Sequence, residues 1–152
     1  MIPRILVALM INWTDPKAHV TPNFTVHDCL WLGHWGRLAN ATDGLTDDLC
    51  QKLITTCENA EKIRAILQCP MLISSMYRSP AYSPIVGGSA TDVHTQGIAF
   101  DFVPDTILSI DAAKELIRPN LDDLNLRMEA GTTNWIHIDS HQVGASGREF
   151  IP

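Results

Sequence analysis

The sequence predicts a single α+β domain in which helices pack on an antiparallel sheet. Three observations carry this. A capped amphipathic stretch runs from Thr46 to Gln68. Period-two alternation marks 97–103, and a second alternating pair flanks a turn between Leu124 and Asp139. A chain of 152 residues, 45% hydrophobic and 18% charged, suits one domain with one core and not a disordered segment.

In chain order, Met1–Ile11 is a short apolar run with one positive charge. No small-residue cleavage site follows it, so we read a buried strand or edge segment and no signal peptide. Residues 12–24 form an extended lead-in. Phe24–Leu38 is expected to hold a short helix on the spacing of Trp31, Trp35 and Leu38, although Gly33 and Gly36 interrupt it; His27 and His34 beside the tryptophans read as packing or surface residues. The long helix starts at the Thr46 N-cap, with Asp47 and Asp48 at the positive end of its dipole. It continues with Leu49, Leu53, Cys57, Ala60, Ile63 and Leu67 on one face and stops before Pro70.

Met71–Tyr77 then reads as a strand, Arg78–Pro84 as a proline-interrupted loop continued by Gly87–Gly88, and Gly97–Val103 as a strand. In the last of these, Phe100 and Phe102 point away from Asp101. A short helix is expected around Ile110–Ile117. Leu124–Glu129 and Trp135–Asp139 form a hairpin about the five-residue turn Ala130–Asn134. Pairing Glu129 with Trp135 sets Arg127 opposite His137 and puts Glu129, Trp135 and His137 on one face.

The formal net charge of −6 argues against a nucleic-acid partner, which would need a basic face. No apolar run is long enough to span a membrane. Cys29, Cys50, Cys57 and Cys69 have no Cys-x-x-Cys spacing and read as free thiols, which fits synthesis in a reducing cytoplasm. A monomer is expected.

The chemistry lies in His94, Asp101 and His137. Two imidazoles and a carboxylate can hold a catalytic zinc ion and leave its fourth position to water; the same donor types also describe the iron site of some oxygenases. Asp101 sits between two phenylalanines, where a lone carboxylate is costly without a metal, a cation or several donors. Glu129 is a candidate proton acceptor and donor, and Arg78 a candidate stabiliser of a developing oxyanion.

Ser75-Met-Tyr-Arg-Ser-Pro80, Val86-Gly-Gly-Ser89, His94-x-x-Gly-x-Ala-x-Asp101 and Trp135-Ile-His137 together resemble the zinc D-alanyl-D-alanine peptidases. That family includes L-alanyl-D-glutamate endopeptidases and shares its fold with hedgehog signalling domains. The resemblance runs over about 23–142. It implies zinc on His94, Asp101 and His137, Glu129 as general base, Arg78 on the reacting carbonyl, and attack by zinc-bound hydroxide on a peptidoglycan stem peptide at the bacterial cell wall. Ser89, Tyr77 and Trp135 are candidates to line the substrate groove, with core or turn roles the alternative. The chain departs from the family pattern at Asp92, where a small hydroxyl residue is usual. As a substrate-groove candidate, a second carboxylate there disfavours a C-terminal substrate carboxylate and points to cleavage within a peptide, unless Asp92 turns away from the site. Met76 replaces a common glycine. The Glu129–Trp135 stretch is about two residues longer than usual, which makes Asp139 and His141 the substitutes for Glu129. The alternative function is a noncatalytic zinc-binding virion or wall-recognition module, with Asp92, His141 or Asp139 as fourth ligand; an enclosed pocket would instead suit hydrolysis of small dipeptides.

Overall fold

The computed structural model describes all 152 residues. Its elements, in chain order, are α1 (Arg4–Met10), β1 (His19–Thr21), β2 (Phe24–Thr25), α2 (Val26–Leu30), β3 (Trp31–Leu32), β4 (Arg37–Leu38), α3 (Asp47–Leu67), β5 (Met71–Ser75), β6 (Ala99–Pro104), α4 (Ile110–Ile117), α5 (Leu121–Leu124), β7 (Arg127–Glu129), β8 (Ile136–Asp139) and β9 (Glu149–Phe150).

Helix α3 is the scaffold. The Thr46 hydroxyl accepts from the Leu49 N–H at 3.2 Å, Asp47 and Asp48 occupy the first turn, and Gln68 closes the helix in the left-handed region at φ 53°. Its buried face, including Leu53, Cys57, Ala60 and Ile63, packs on α1, α4 and β6.

The sheet has the order β5-β6-β8-β7-β9. Four strands are antiparallel to their neighbours, and β9 joins β7 in parallel, so the sheet is mixed only at that edge. Phe100, Phe102, Met128, Ile136 and Ile138 fill the helix-facing side and are at most 1% exposed. The opposite face is free to carry polar groups. Across it run Asp101 on β6 and His137 on β8, which are direct cross-strand partners, with Ser75 on β5 paired to Asp101.

Three expectations need correction. Residues 1–11 form no strand: α1 lays Val7 and Ala8 on the core, Ile11 packs there just past its end, and Ile5, Leu6, Leu9 and Met10 stay exposed. The Phe24–Leu38 helix shrinks to α2, capped by Thr25 and Asp28, because the chain then turns through Gly33–Gly36, with Gly36 at φ 62°, into the β3–β4 hairpin. The Leu124–Glu129 strand starts late, since Leu124 ends α5 and β7 begins at Arg127, and the β7–β8 register is two residues from the expected one: Arg127 opposes Asp139 and Met128 opposes Ile138. A two-residue shift preserves parity, so Glu129 and His137 still share a face.

Gly97 sits between two metal-ligand candidates at φ 72°, and a Cβ there would come within 2.6 Å of Leu49 Cδ1. Gly97→Ala therefore combines a left-handed backbone with a steric clash against α3. It is expected to destabilise the fold by about 2–4 kcal/mol, read as a lower urea midpoint at unchanged slope.

Candidate metal centre and active site

Asp101 and His137 meet because the β6–β8 ladder opposes them, and His94 comes from the turn before β6. One donor atom from each of the three lies within 4.8 Å of the others, and all three residues are buried. His94 Nε2 is 3.3 Å from Asp101 Oδ2, and His137 Nδ1 is 2.7 Å from Asp101 Oδ1.

The surroundings orient each ring. A carbonyl oxygen can only accept, so the 2.8 Å contact of His94 Nδ1 with the Met76 carbonyl places the proton on Nδ1 and turns the Nε2 lone pair inward. On His137, Nε2 donates to Asp139 Oδ2 at 2.8 Å, which leaves Nδ1 as the inward ligand atom. Asp139 is in turn held by a two-pronged bond from Arg127, Nε to Oδ1 at 2.8 Å and Nη2 to Oδ2 at 2.9 Å. Imidazoles whose outer N–H groups bond to a carbonyl or a carboxylate are the usual support of a metal site. The donor set and its supports therefore fit a divalent metal, with His94 Nε2, Asp101 and His137 Nδ1 as ligand atoms.

Without a metal, burial pulls the His137 imidazolium down, but bonds to Asp101 and Asp139 outweigh it and raise the pKa from 6.5 to about 9. Burial likewise pushes both carboxylates up. Bonds to His137 and His94 win for Asp101 and hold it far below the ordinary carboxylate range; bonds to His137 and Arg127 win for Asp139 and lower it to about 2. A histidine whose folded pKa lies above its unfolded one stabilises the fold fully below pH 6.5 and ceases to do so as pH rises through about 9. The same proton on Nδ1 competes with the metal. Metal binding at neutral pH is expected to release about one proton, falling toward none above pH 9. Calorimetric titration in buffers of different ionisation enthalpy measures it.

Around the triad opens a cleft of ≈ 380 Å³ lined by Arg78, Val86, Asp92, Glu129, Trp135 and Phe150 as well as the three ligand candidates. Glu129, half-buried at the end of β7, thus lines the same cleft as the three ligand candidates. The Arg78 Nε donates to Ser75 Oγ at 2.9 Å and Nη2 to Asp101 Oδ2 at 3.0 Å, which fixes the guanidinium beside the triad. Trp135 is 39% exposed at the cleft wall.

Asp92 lines the same cleft, but its oxygens are engaged: they accept from the Ser83 hydroxyl and from the backbone N–H groups of Ser89, His94 and Thr95. It caps the turn that presents His94. Gly88 must be glycine for this packing, since a Cβ would stand 2.3 Å from both Asp92 Oδ2 and Ser83 Oγ.

Two candidates are not brought to the cleft. Tyr77 is buried and donates its hydroxyl to the Asp43 carbonyl at 2.6 Å, a core role. Ser89 is exposed on the loop, its N–H donating to Asp92. Of the substitutes for Glu129, Asp139 is locked between His137 and Arg127, and His141 is exposed and bonds to its own neighbour's carbonyl. Met76 is 1% exposed, its sulfur 3.9 Å from Cys57 Sγ, so the replaced glycine is a packing change.

Sequence reasoning missed Arg127 and Phe150. Phe150 lies under the Arg127 guanidinium at 4.0 Å and edge-on to the His137 ring at 5.9 Å. Its strand is two residues long and pairs in parallel from the far end of the chain, so no local pattern marks it.

No helix is long and apolar enough to cross a membrane. No curated protein and no solved structure gives a significant match to the chain. The family model of Peptidase M15 matches residues 34–139, which include the whole His94–Asp101–His137 cluster and Glu129, and the chain belongs to the Peptidase M15 family.

Proposed function

We propose that the protein is a zinc peptidase that hydrolyses an amide within peptidoglycan stem peptides at the bacterial cell wall, in the manner of an endolysin. The observation that carries this is the convergence of His94 Nε2, Asp101 and His137 Nδ1 beside Glu129 in one open cleft. Zinc held there supplies a Lewis acid that polarises the scissile carbonyl and lowers the pKa of water to about 7.

The chain's own residues supply the rest. Glu129 accepts the proton as water adds to the carbonyl carbon, then delivers it to the leaving nitrogen as the C–N bond breaks. Arg78, held in place by Ser75 and Asp101, faces the developing negative oxygen. Asp139 and Arg127 keep His137 in one orientation throughout. The metal position is not a closed end: a second hollow adjoins the cleft and shares Arg78, Val86, Asp101 and Trp135 with it, so a substrate has room to extend past the scissile amide. That favours cleavage within a peptide over removal of a terminal residue. Asp92, Asp139 and His141, the candidates for a fourth ligand, are each engaged or directed elsewhere, which supports an open metal position and a catalytic site over a purely structural one.

The test pairs metal analysis of the purified protein with digestion of purified peptidoglycan, its products read by mass. One zinc per chain and a defined set of stem fragments is the expected result. Bound zinc without cleavage of several wall types would instead point to a noncatalytic wall-recognition module.

A further inference from the structure

The β3–β4 hairpin carries aromatic groups that the hydrolytic chemistry leaves unused. Trp31 stacks on His27, ring centroids 4.8 Å apart and planes inclined by 22°, yet remains 41% exposed. Trp35 packs edge-on to Tyr82 at 5.0 Å, and the Tyr82 hydroxyl accepts from the His34 N–H at 3.0 Å. The hairpin is thereby fixed to the loop that follows Arg78. Between it and the metal cleft lies the second hollow, ≈ 440 Å³, lined by Trp31, Tyr82 and Trp135 together with Ser74, Ser75 and Asn134. This volume falls within the range of small-molecule sites, about 300–1,000 Å³.

Its charge is distinctive. Arg78 and Asp101 are the charged lining residues, and both belong equally to the metal cleft. Beyond that junction the lining is aromatic, aliphatic, hydroxyl and amide. A stem peptide is rich in carboxylates and would call for further cations. A sugar ring calls for the opposite: an apolar C–H face that packs on an indole, and a rim of hydroxyl and acetamido groups that need neutral hydrogen-bonding partners. Ser75 Oγ accepts from Arg78 Nε and so keeps its own O–H to donate. Asn134 offers both a donor and an acceptor.

We propose that this hollow is a sugar subsite that takes an N-acetylated hexosamine of the glycan strand, held against Trp31 and Trp135, while the attached peptide lies over the metal position. The proposal rests on the peptidoglycan reading and deepens it. Because the two hollows share lining residues, the sugar and the scissile amide are neighbours, and the bond cut lies near the sugar end of the stem.

The probe is a trimer of N-acetylglucosamine, titrated into the full chain and read by tryptophan fluorescence and calorimetry. Saturable binding is expected, weakened about tenfold in Trp31→Ala and less in Trp31→Phe, which keeps a ring. Asn134→Ala tests the same hollow from its other side. In parallel, the ratio of kcat/KM on sugar-linked stem peptide to that on the free stem peptide is expected to fall about tenfold in Trp31→Ala, through KM. No saturable binding by the unaltered protein, or equal binding by both Trp31 variants and by Asn134→Ala, overturns the subsite. If the trimer binds through Trp31 but no peptide is cut, the hydrolytic reading fails and the sugar subsite stands. If peptides are cut with no preference for the sugar-linked form, the reverse holds.

Discussion

Glu129→Gln is expected to leave the protein folded and metal-loaded while slowing peptide hydrolysis by about 10²–10⁴-fold. The amide preserves the size of the side chain but can no longer accept a proton. Of the other carboxylates at or beside the cleft, Asp92 is engaged by the Ser83 hydroxyl and three backbone N–H groups. Asp139 is a weak base, lowered to about 2 chiefly by its bonds to His137 and Arg127 once they overcome burial, and both its oxygens are committed to those partners. Asp101 is a ligand candidate held still lower. The measurement is steady-state kinetics beside metal content: kcat falls, metal stoichiometry does not. A Gln variant that turned over at nearly the original rate would show that another group moves the proton.

His94→Ala is expected to abolish both metal retention and activity. Two donors remain, Asp101 and His137, and without a third the ring proton on His137 Nδ1 is stabilised by Asp101 at 2.7 Å instead of being displaced. The variant also leaves the Met76 carbonyl without its partner in a buried setting, a cost of about 1–3 kcal/mol. Metal analysis after dialysis and a denaturation curve of the metal-free forms separate the two effects. Full metal content in the variant would remove His94 from the ligand set.

The triad and its scaffold were legible for a local reason. Helix α3 has a capped, amphipathic pattern, and in β6 Phe100 and Phe102 are two residues apart, so Asp101 between them had to face the other side of the sheet. The N-terminal helix was not legible because its exposed side, Ile5, Leu6, Leu9 and Met10, is as apolar as its buried one; without contrast, periodicity carries no signal. The β7–β8 register was legible only in parity, because the turn is two residues wider than its sequence pattern suggests. The observed register sets Arg127 opposite Asp139 in a two-pronged ion pair, a pairing the sequence offered but the expected five-residue turn passed over, and Lys114 on α4 bonds the carbonyls of Ala130 and Thr132 in the wider turn from outside the hairpin. Tyr77 and Ser89 lie in motif segments, but a motif does not say which of its side chains point inward. The depth of Tyr77 follows from Asp43, 34 residues earlier.

The cross-strand placement of Asp101 and His137 makes the candidate metal centre a thermometer of the fold. A metal gripping β6, β8 and the turn before β6 binds only the assembled sheet, so occupancy at a hundred times the dissociation constant adds about 2.7 kcal/mol to stability. Chelation should lower the melting temperature, and the size of that drop, followed against free metal concentration, reports the affinity of the site without any substrate in the tube.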